Sequence, residues 1–356
     1  MQNMGLTNII ESINKEMQKT FSAECLCSLF EVKTSSDSSY VQEALETHIL
    51  SPCLDIMNRG GKRLRPLLSI LFTQMLSGDE EAAYKFSSII EGIHTASLIH
   101  DDIEDASIKR RGKECAHIKW GVDVCINAAS ALYFFAMNLI EEQKPSYRLP
   151  LYRACTSSLS LLHLGQAMDI KHHSNYNLPF SYEMYEKMAS LKTGTLFSLA
   201  MKAALIFSYT EGDKENERQQ ACNALNELGV AFQMFDDLVN ISSGNKGKDR
   251  GDDVVEGKLS FPVVLYLEKA EQNKECILHL FERAKKEGIT SSAVNECCIL
   301  LEESGIVQEG VVIAKEKTSH AFATLQAVFG KKVQLDTLRH LFGNSVSKVL
   351  GASALC

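Results

Sequence analysis

Residues 91–105 read EGIHTASLIHDDIED, an apolar helical stretch that ends in the acidic run Asp101-Asp102-Ile103-Glu104-Asp105. On a helix, Asp101 and Asp105 lie one above the other, and Asp102 adds a third carboxylate nearby. Such crowding is unfavourable unless cations neutralise it. Oxygen ligands select hard cations, and Mg²⁺ completes its octahedron with water and phosphate oxygens, so the run predicts a metal–diphosphate site.

A second acidic run, Asp236-Asp237-Leu238-Val239-Asn240, follows 135 residues later (236 minus 101) in another helix-like stretch. One such run alone is weak evidence of function. Two runs on separate helices predict two walls of a cleft that binds a diphosphate.

The composition indicates helices and argues against nucleic acid as a partner. The chain has 356 residues, of which 45% are hydrophobic, with only 6 Pro and 21 Gly. Long stretches of 3.6-residue periodicity with few β-branched alternations predict an all-α protein. The net charge is −8, and the sequence shows no stripe of basic residues that could bind along a nucleic-acid backbone.

Cysteine spacing and hydropathy predict a cytoplasmic protein without a transmembrane segment. None of the 11 Cys forms a CxxC pair, so we expect reduced thiols rather than disulfides or a zinc site. Residues 1–21 are polar and amphipathic, unlike a signal peptide. The longest apolar run, 128–140, is too short to span a bilayer.

The polar segment 33–40 is the best candidate for a linker. It predicts a division into an N-terminal helical extension and linker, residues 1–40, and one large domain, residues 41–356. In that domain, apolar periodicity predicts helices over 42–58, 65–76, 82–104, 123–142, 149–171, 181–208, 217–241, 259–285 and 291–325. The polar loop 242–257 is either a mobile lid that closes on an anion or a solvated connector.

Basic clusters flank the first acidic run. GGKRLRP (60–66) precedes it, and its glycines allow a ligand to approach the backbone while its cations offer phosphate contacts. KRRG (109–112) follows it, and His94 lies two turns before Asp101 on the same helix face. Taken singly, each cluster is more often a solvated surface and a helical histidine is more often structural. Together they fit two anions, one held through metal and one held directly.

The motifs together closely resemble those of the trans-isoprenyl diphosphate synthases. Seven occur in order over roughly residues 50 to 270, namely GGKRLRP, EGIHTASLIHDDIED, RRG, GQAMD, KTG, FQMFDD and DDVVEGKLSFP. Within the family, the chain is most similar to geranylgeranyl diphosphate synthases of the eukaryotic type. The resemblance implies the isoprenoid synthase fold, with antiparallel helices around a central cavity, and usually a homodimer.

The resemblance also implies binding residues, matched position by position. Three Mg²⁺ ions would be held by Asp101, Asp102, Asp105 and Asp236, with Asp237 in support. Isopentenyl diphosphate would be held by Gly61, Lys62, Arg65, His94 and Arg111. The allylic diphosphate would be addressed by Arg110, Lys192, Thr193, Gln233, Lys248 and Lys258, of which Lys192, Thr193 and Gln233 would also take part in catalysis.

The implied activity is that of a transferase that condenses isopentenyl diphosphate with dimethylallyl, geranyl or farnesyl diphosphate. Metal and cations would stabilise the departing diphosphate while an allylic carbocation forms in a water-poor cavity. The isopentenyl double bond would attack that carbocation, and the released diphosphate would remove the last proton. Thr193 and Gln233 would orient and shield the carbocation, with help from carbonyls at a helix break near Lys192-Thr193-Gly194.

Product length is expected to depend on how deep the prenyl tail can reach. Ala96 and Ser97, about one turn before Asp101, are small and leave room beyond a farnesyl chain. Tyr133, Phe134 and His163 align with bulky residues that close the cavity in geranylgeranyl enzymes, which predicts a C20 product. Without that alignment, the aromatic pair would be interpreted as ordinary core.

Two alternatives remain open. A class I terpene cyclase would share the acidic run and the fold but would not need a second diphosphate site, and it would carry an N-D-x-x-S-x-x-x-E motif that is not evident after residue 230. A non-catalytic subunit that modulates a partner synthase usually loses one acidic run, whereas this chain keeps both. Asn240 stands where the general pattern has a third Asp, a change that geranylgeranyl-type enzymes commonly show.

Overall fold

The structure is a computed structural model that describes residues 2–29, 38–172, 175, 179–208, 214–244 and 249–350. Helices make up nearly all of these residues, so the predicted all-α class is confirmed. The described residues contain one small sheet, an antiparallel pair of two-residue strands.

The first helices and the hairpin have the following bounds: α1 (Gln2–Thr20), α2 (Ala23–Leu29), α3 (Ser38–Leu45), α4 (Ser51–Asn58), α5 (Leu64–Met75), α6 (Glu80–Glu104), β1 (Lys109–Arg110), β2 (Lys113–Glu114), α7 (Ala116–Trp120) and α8 (Val122–Asn138). The remaining helices are α9 (Pro145–His172), α10 (Tyr182–Ala189), α11 (Thr195–Ile206), α12 (Glu215–Ser242), α13 (Asp252–Glu256), α14 (Phe261–Lys269), α15 (Lys274–Glu287), α16 (Ser292–Glu303), α17 (Ile306–Phe329) and α18 (Val333–Leu350). Two π-helical turns, Glu46–Leu50 and Ser190–Gly194, and two 3₁₀ turns, Leu139–Glu142 and Glu271–Asn273, join neighbouring helices.

The chain divides into two compact units. One comprises Met1–Ser158 with Leu199–Lys214, and the other comprises Leu159–Ser198 with Glu215–Cys356. Helix α1 packs against α5 and α6 within the first unit, and the division expected at residue 40 stays a prediction. Of the expected linker 33–40, residues 33–37 lie outside the described residues, and the rest begins α3.

Helix α6 is the central element of the first unit. Asp79 caps its N-terminus by accepting a hydrogen bond from the Ala82 N–H at 3.1 Å. The helix then buries Phe86, Ile89 and Ile93 against α1, α5 and α8. Packing along most of its length therefore fixes the position of the acidic residues at its C-terminal end.

Helix α12 has the same place in the second unit. It buries Leu228, Met234 and Leu238 and packs against α14, α17 and α18. The second acidic run lies near its C-terminal end, where Phe261 of α14 and Gly310 of α17 pack closely around Leu238.

Several element boundaries differ from those predicted. The range 259–285 splits into α14 and α15, and 291–325 splits at Gly305, whose φ of +79° ends helical geometry. Helix α18 and the hairpin were not predicted. The hairpin turn is Arg111-Gly112, with φ of +54° and +78°, which is the pattern of a type I′ turn.

One described stretch, Val122–Glu142, is apolar and long enough to cross a membrane by composition alone. Half of it is buried inside the chain, as is usual for the core helix of a soluble protein. We therefore assign it to the core of the first unit.

Candidate active site

The first acidic run lies at the C-terminal end of α6, where the helix dipole is negative. Its main counter-ion is Arg110 of the hairpin. Arg110 Nε donates to Asp102 Oδ1 at 2.7 Å, and Nη2 contacts the same oxygen and lies 3.3 Å from Asp101 Oδ2. The Asp102 side chain is 1% exposed, so this ion pair is well shielded from water.

The carboxylates of this run fit a cation with oxygen ligands. Asp102 Oδ2 is buried and receives no hydrogen bond from any residue that the structure describes, and Asp105 is also buried. Within the described ranges, no group of three or more His, Cys, Asp and Glu side chains converges as a metal site. A cation there would neutralise both the aspartates and the negative helix end. The assignment of Asp101, Asp102 and Asp105 as ligands stays a prediction.

The loop before α5 is fastened to the hairpin by Arg111. Its Nη1 donates to Ile56 O at 3.0 Å and also to Gly60 O. Gly61, with φ of +146°, lies so near that an added Cβ would be 3.1 Å from Arg111 Nη2. Only glycine therefore combines this backbone conformation with a guanidinium at such close range.

His94 lies beside the same loop and is held as a hydrogen-bond acceptor. Arg65 Nη1 is 3.1 Å from His94 Nε2, and because a guanidinium only donates, Nε2 must accept. Burial, followed by the charges of Arg65, Arg111, Arg110 and Arg63, lowers the pKa of His94 well below its ordinary value. The imidazole is therefore neutral at physiological pH.

The structure thus brings together, in one unit, the residues predicted to hold isopentenyl diphosphate. Gly61 adjoins Arg111, and Arg65 adjoins His94, while the neighbouring Lys62 is exposed. Burial is also the main reason that the pKa of Arg111 is lowered, although a guanidinium remains charged. Which anion this cluster holds stays a prediction.

In the second unit, the two aspartates of the second run have different environments. Asp236 is exposed, whereas Asp237 is buried and accepts three hydrogen bonds. Tyr185 Oη donates to Asp237 Oδ2 at 2.7 Å, and the Phe261 N–H donates to the same oxygen at 2.9 Å. Gln233 Nε2 donates to Asp237 Oδ1 at 2.8 Å. The assignment of Asp236 as a metal ligand, with Asp237 in support, stays a prediction.

The same network reaches the KTG motif. Thr193 Oγ1 donates to Gln233 Oε1 at 2.8 Å, so Thr193, Gln233 and Asp237 form one continuous chain of hydrogen bonds. Burial raises the pKa of Asp237 to about 6, against the opposing effect of the three hydrogen bonds. Two predicted catalytic side chains, Thr193 and Gln233, are therefore fixed in orientation by a buried carboxyl group.

Lys192 lies in the π-helical turn Ser190–Gly194, so the helix widens here rather than breaking as expected. Its Nζ is 2.6 Å from Asp169 Oδ2. Asp169, the last residue of the GQAMD motif, was not among the predicted site residues, although it contacts one of them. Gly165 of that motif packs so tightly that an added Cβ would collide with the Lys192 N atom. The glycine thus lets α9 present Asp169 to Lys192.

The residues after the second run are ordered by Asn240. This side chain is buried, and its Oδ1 accepts a hydrogen bond from the Asp253 N–H at 3.3 Å. Its backbone O accepts from the Gly251 N–H at 3.0 Å. The expected lid or connector 242–257 therefore contains a helix, α13, tied to α12. Of the two lysines predicted near it, Lys258 pairs with Glu256 Oε2 at 2.8 Å, and Lys248 lies outside the described residues.

The residues predicted to set product length fall into two groups. Ala96 and Tyr133 are buried, and the Tyr133 ring stacks on His100 with 5.7 Å between ring centroids. Ser97 is half-buried, and its Oγ donates to His94 O at 2.8 Å. The other group is on the surface, because Phe134 is 71% exposed and His163 is also exposed. Tyr133 and Phe134 therefore do not line the same wall of a cavity within one chain.

Comparison with known proteins identifies the family. The model of the family described as polyprenyl synthetase matches residues 46–297, about 70% of the chain (252 of 356). This chain belongs to the polyprenyl synthetase family. The predicted resemblance to isoprenyl diphosphate synthases is therefore confirmed.

Individual members of the polyprenyl synthetase family resemble the chain over most of its length. The geranylgeranyl pyrophosphate synthase olcC of Penicillium canescens is 31% identical over 304 residues, which are 84% of this chain and 85% of that protein. The crystal structure of the geranylgeranyl pyrophosphate synthetase from Pyrococcus horikoshii Ot3 has a TM-score of 0.75 and 27% identity, covering 94% of this chain and 98% of that chain. The polyprenyl synthase from Caulobacter crescentus CB15, solved with calcium and isoprenyl diphosphate, has a TM-score of 0.77 and 23% identity, covering 97% and 96%.

Proposed function

We propose that the chain is a magnesium-dependent isoprenyl diphosphate synthase that condenses isopentenyl diphosphate with an allylic diphosphate to form geranylgeranyl diphosphate. The single observation that carries this proposal is that Arg110 and Arg111, although adjacent, bind different partners. Arg110 binds the carboxylates of Asp101 and Asp102, whereas Arg111 binds the carbonyl of Gly60 in the basic loop. The different partners of these two neighbouring arginines support a proposal of two separate diphosphate sites, as a reaction of two diphosphates requires.

The choice of magnesium is supported by the chemistry of the donor set. Asp101, Asp102, Asp105 and Asp236 offer only carboxylate oxygens, which favour a hard divalent cation. The calcium in the Caulobacter crescentus neighbour is a cation of that class. When bound, Mg²⁺ neutralises charge on the departing diphosphate and so favours ionisation of the allylic substrate. We expect three ions, with Asp237 positioned behind the ligands.

The side chains of this chain bind and orient the two substrates and exclude water from them. Lys62 and Arg65 of the GGKRLRP stretch, together with Arg111 of the hairpin, hold the isopentenyl diphosphate, and neutral His94 keeps Arg65 in place by accepting its hydrogen bond. Arg110, Lys192 and Lys258 address the allylic diphosphate. Thr193 and Gln233, oriented by Asp237, present polar oxygens to the developing allylic cation. Fixed dipoles of this kind stabilise charge without reorganising during the reaction.

The product length rests on the small Ala96 and the buried Tyr133. The small Ala96 side chain leaves space in the cavity for a chain longer than farnesyl, and the Tyr133 ring then closes the cavity. The relatives named geranylgeranyl pyrophosphate synthases support the same length. We propose that Phe134 and His163 contribute only where a second copy of the chain covers them.

We propose a homodimer on the basis of an exposed apolar stripe on α8. Val122 and Ile126 lie one turn apart on α8 and Phe134 lies two turns further along, and 46%, 47% and 71% of their surfaces are exposed. Such stripes on a helix usually mark a contact with another helix. A cytoplasmic location is supported by buried thiols, since Cys155 and Cys297 are free and burial raises the pKa of each to about 12.

The decisive experiment incubates the purified chain with Mg²⁺, labelled isopentenyl diphosphate and one of the three allylic starters, and separates the products by chromatography. We expect geranylgeranyl diphosphate and no turnover after chelation of the metal. Asp101→Asn and Asp236→Asn are each expected to lower turnover on the order of a hundredfold or more. Asp123→Asn, at an exposed position of α8, is the matched control.

Three outcomes would contradict the proposal or part of it. A hydrocarbon released from geranylgeranyl diphosphate alone would identify a terpene cyclase. A folded dimer that shows no turnover, yet changes the product length of a partner synthase, would identify a modulating subunit. Near-normal turnover in both aspartate variants would remove the metal assignment.

A further inference from the structure

Helix α1 is seated directly on α6, the helix that carries His94 and the first acidic run. Ile13 and Met17 of α1 and the following Phe21 are buried. Ser88 Oγ donates to Thr20 Oγ1 at 3.1 Å, and Phe21 fills the space above Gly92, where an added Cβ would be 3.1 Å from its Cζ atom. The N-terminal segment is therefore a packed part of the first unit.

Arg63 connects α1, α4 and α6 from within the basic loop. Its Nε donates to Asn14 Oδ1 at 3.0 Å, its Nη1 to Glu91 Oε1 at 2.7 Å and its Nη2 to Met57 O at 2.6 Å. The residue is 6% exposed. All three donating nitrogens of the guanidinium thus have acceptors on three different helices, and none of these acceptors is a substrate.

The backbone of Arg63 has a conformation that is unfavourable for a residue other than glycine. Its φ is +47° and its ψ is +36°, in the left-handed region, at the position that begins α5. Such a conformation persists only where the surroundings hold it. The hydrogen bonds of the guanidinium stabilise this conformation, because they fix the Arg63 side chain to α1, α4 and α6.

The turn at Arg63 determines where its neighbours point. Lys62 precedes it directly, Arg65 follows it by two residues, and Glu91 lies one helical turn before His94. The three residues Lys62, Arg65 and His94 are those proposed to hold isopentenyl diphosphate. An element that fixes Arg63 therefore sets the geometry of that cluster.

We propose that helix α1, through Asn14 and Arg63, positions the basic loop for isopentenyl diphosphate, so that Asn14 is a positioning residue for that substrate. This inference rests on the proposed function. If Asn14 does not accept its hydrogen bond, the buried Nε of Arg63 loses its partner, and the guanidinium must shift toward Glu91 and Met57. The strained turn then loses one of its three restraints.

The test compares steady-state kinetics of the full chain with those of Asn14→Ala, Asn14→Asp and Asn8→Ala. We expect Asn14→Ala to raise the KM for isopentenyl diphosphate about tenfold while the KM for farnesyl diphosphate changes less than about twofold, because one hydrogen bond to a charged group is lost at one site only. Asn14→Asp keeps an acceptor oxygen and is expected to restore the wild-type value. Asn8 is exposed on the same helix, so Asn8→Ala is the matched control.

A second variant breaks the same link from the other side. Arg63→Gly suits the left-handed backbone and removes the guanidinium, so we expect the same selective rise in KM. Because Arg63→Gly already removes the hydrogen bond that Asn14→Ala removes, the double variant is expected to show no rise beyond that of Arg63→Gly. This result separates positioning from a general loss of stability, which would make the two effects add.

The proposal is overturned if Arg63→Gly leaves the KM for isopentenyl diphosphate unchanged, whether or not Asn14→Ala can be purified. It is also overturned if turnover falls in proportion to the loss of folded protein, measured by circular dichroism, while both KM values stay unchanged. A wild-type chain without turnover would instead refute the proposed function. The two failures are therefore distinguishable.

Discussion

Arg65 Nη1 lies 3.1 Å from His94 Nε2. The guanidinium, which is always charged, donates this hydrogen bond, so the imidazole must stay neutral to accept it. Further guanidinium groups surround the same imidazole, and their charges add to the effect of burial on its pKa. The pair therefore depends on pH through the histidine alone.

The lowered pKa of His94 predicts how stability varies with pH. Below the unfolded pKa of about 6.5, and above the lower folded value, the unfolded chain binds one more proton than the folded chain. The free energy of unfolding therefore falls as pH falls through this window, by at most about 1.4 kcal/mol per pH unit from this residue. His94→Gln keeps an acceptor for Arg65 and is expected to reduce this slope. Urea unfolding at pH 7.5 and at pH 5.5 would measure it, and equal slopes in the two proteins would contradict the assignment.

Loss of Arg110 is expected to destabilise the chain as well as to reduce turnover. Asp102 is buried, and without Arg110 it would remain charged without its counter-ion. Breaking a buried ion pair in this way costs about 3 kcal/mol or more. Urea unfolding of Arg110→Gln would detect the loss. Asp102→Asn in the same background removes the unpaired charge and should recover part of the stability, whereas purely additive effects would argue against the pairing.

Tyr133 and Phe134 are expected to respond differently although they are adjacent. Tyr133 is buried against His100, so Tyr133→Ala should deepen the cavity and shift the products beyond geranylgeranyl diphosphate. Chromatography of the dephosphorylated products measures that shift, and an unchanged length would refute the closing role of Tyr133. Phe134 is exposed, so Phe134→Ala should instead weaken the proposed dimer, as judged by sedimentation.

Close packing of α12 on the KTG turn predicts a large effect of one added methyl group. An added Cβ at Gly229 would lie 2.6 Å from the Gly194 Cα atom, which forces the two backbones apart. We expect Gly229→Ala to lower the free energy of unfolding by about 1–3 kcal/mol and to reduce turnover. Gly5 is helical with open space around it, so Gly5→Ala is the control and should be neutral or stabilising by up to about 1 kcal/mol. Equal stability of the two variants would contradict the packing argument.

Apolar periodicity was sufficient to predict the fold class and most of the helices. The buried face of α6, including Ile89 and Ile93, repeats at the spacing that the sequence shows directly. The hairpin was missed because 109–114 is charged and lacks the alternation of a strand, and its turn uses Arg111 where glycine or asparagine is usual. The break at Gly305 was missed because apolar periodicity continues across it.

For the site, the motifs predicted candidate residues, but pairing partners that are distant in sequence required the structure. Asp169 and Lys192 are separated by 23 residues, and Asn14 and Arg63 by 49, so spacing along the chain could not pair them. The exposure of individual side chains could not be predicted either. Tyr133 and Phe134 are adjacent aromatic residues of α8, yet the first is buried and the second is exposed. Position-by-position matching identifies residue types and does not show which side of a helix faces the core.

The turn Arg111-Gly112 has a consequence for how this chain can vary. Arg110 ends β1, whereas Arg111 already lies in the left-handed turn, and this change of backbone conformation directs Arg110 to the acidic helix end and Arg111 to the basic loop. Inserting or deleting one residue between Asp105 and Arg110 would shift both arginines relative to this turn, leaving the composition almost intact while each guanidinium lost its partner. Length at this bend is therefore a stricter requirement than the identity of its solvent-facing lysines.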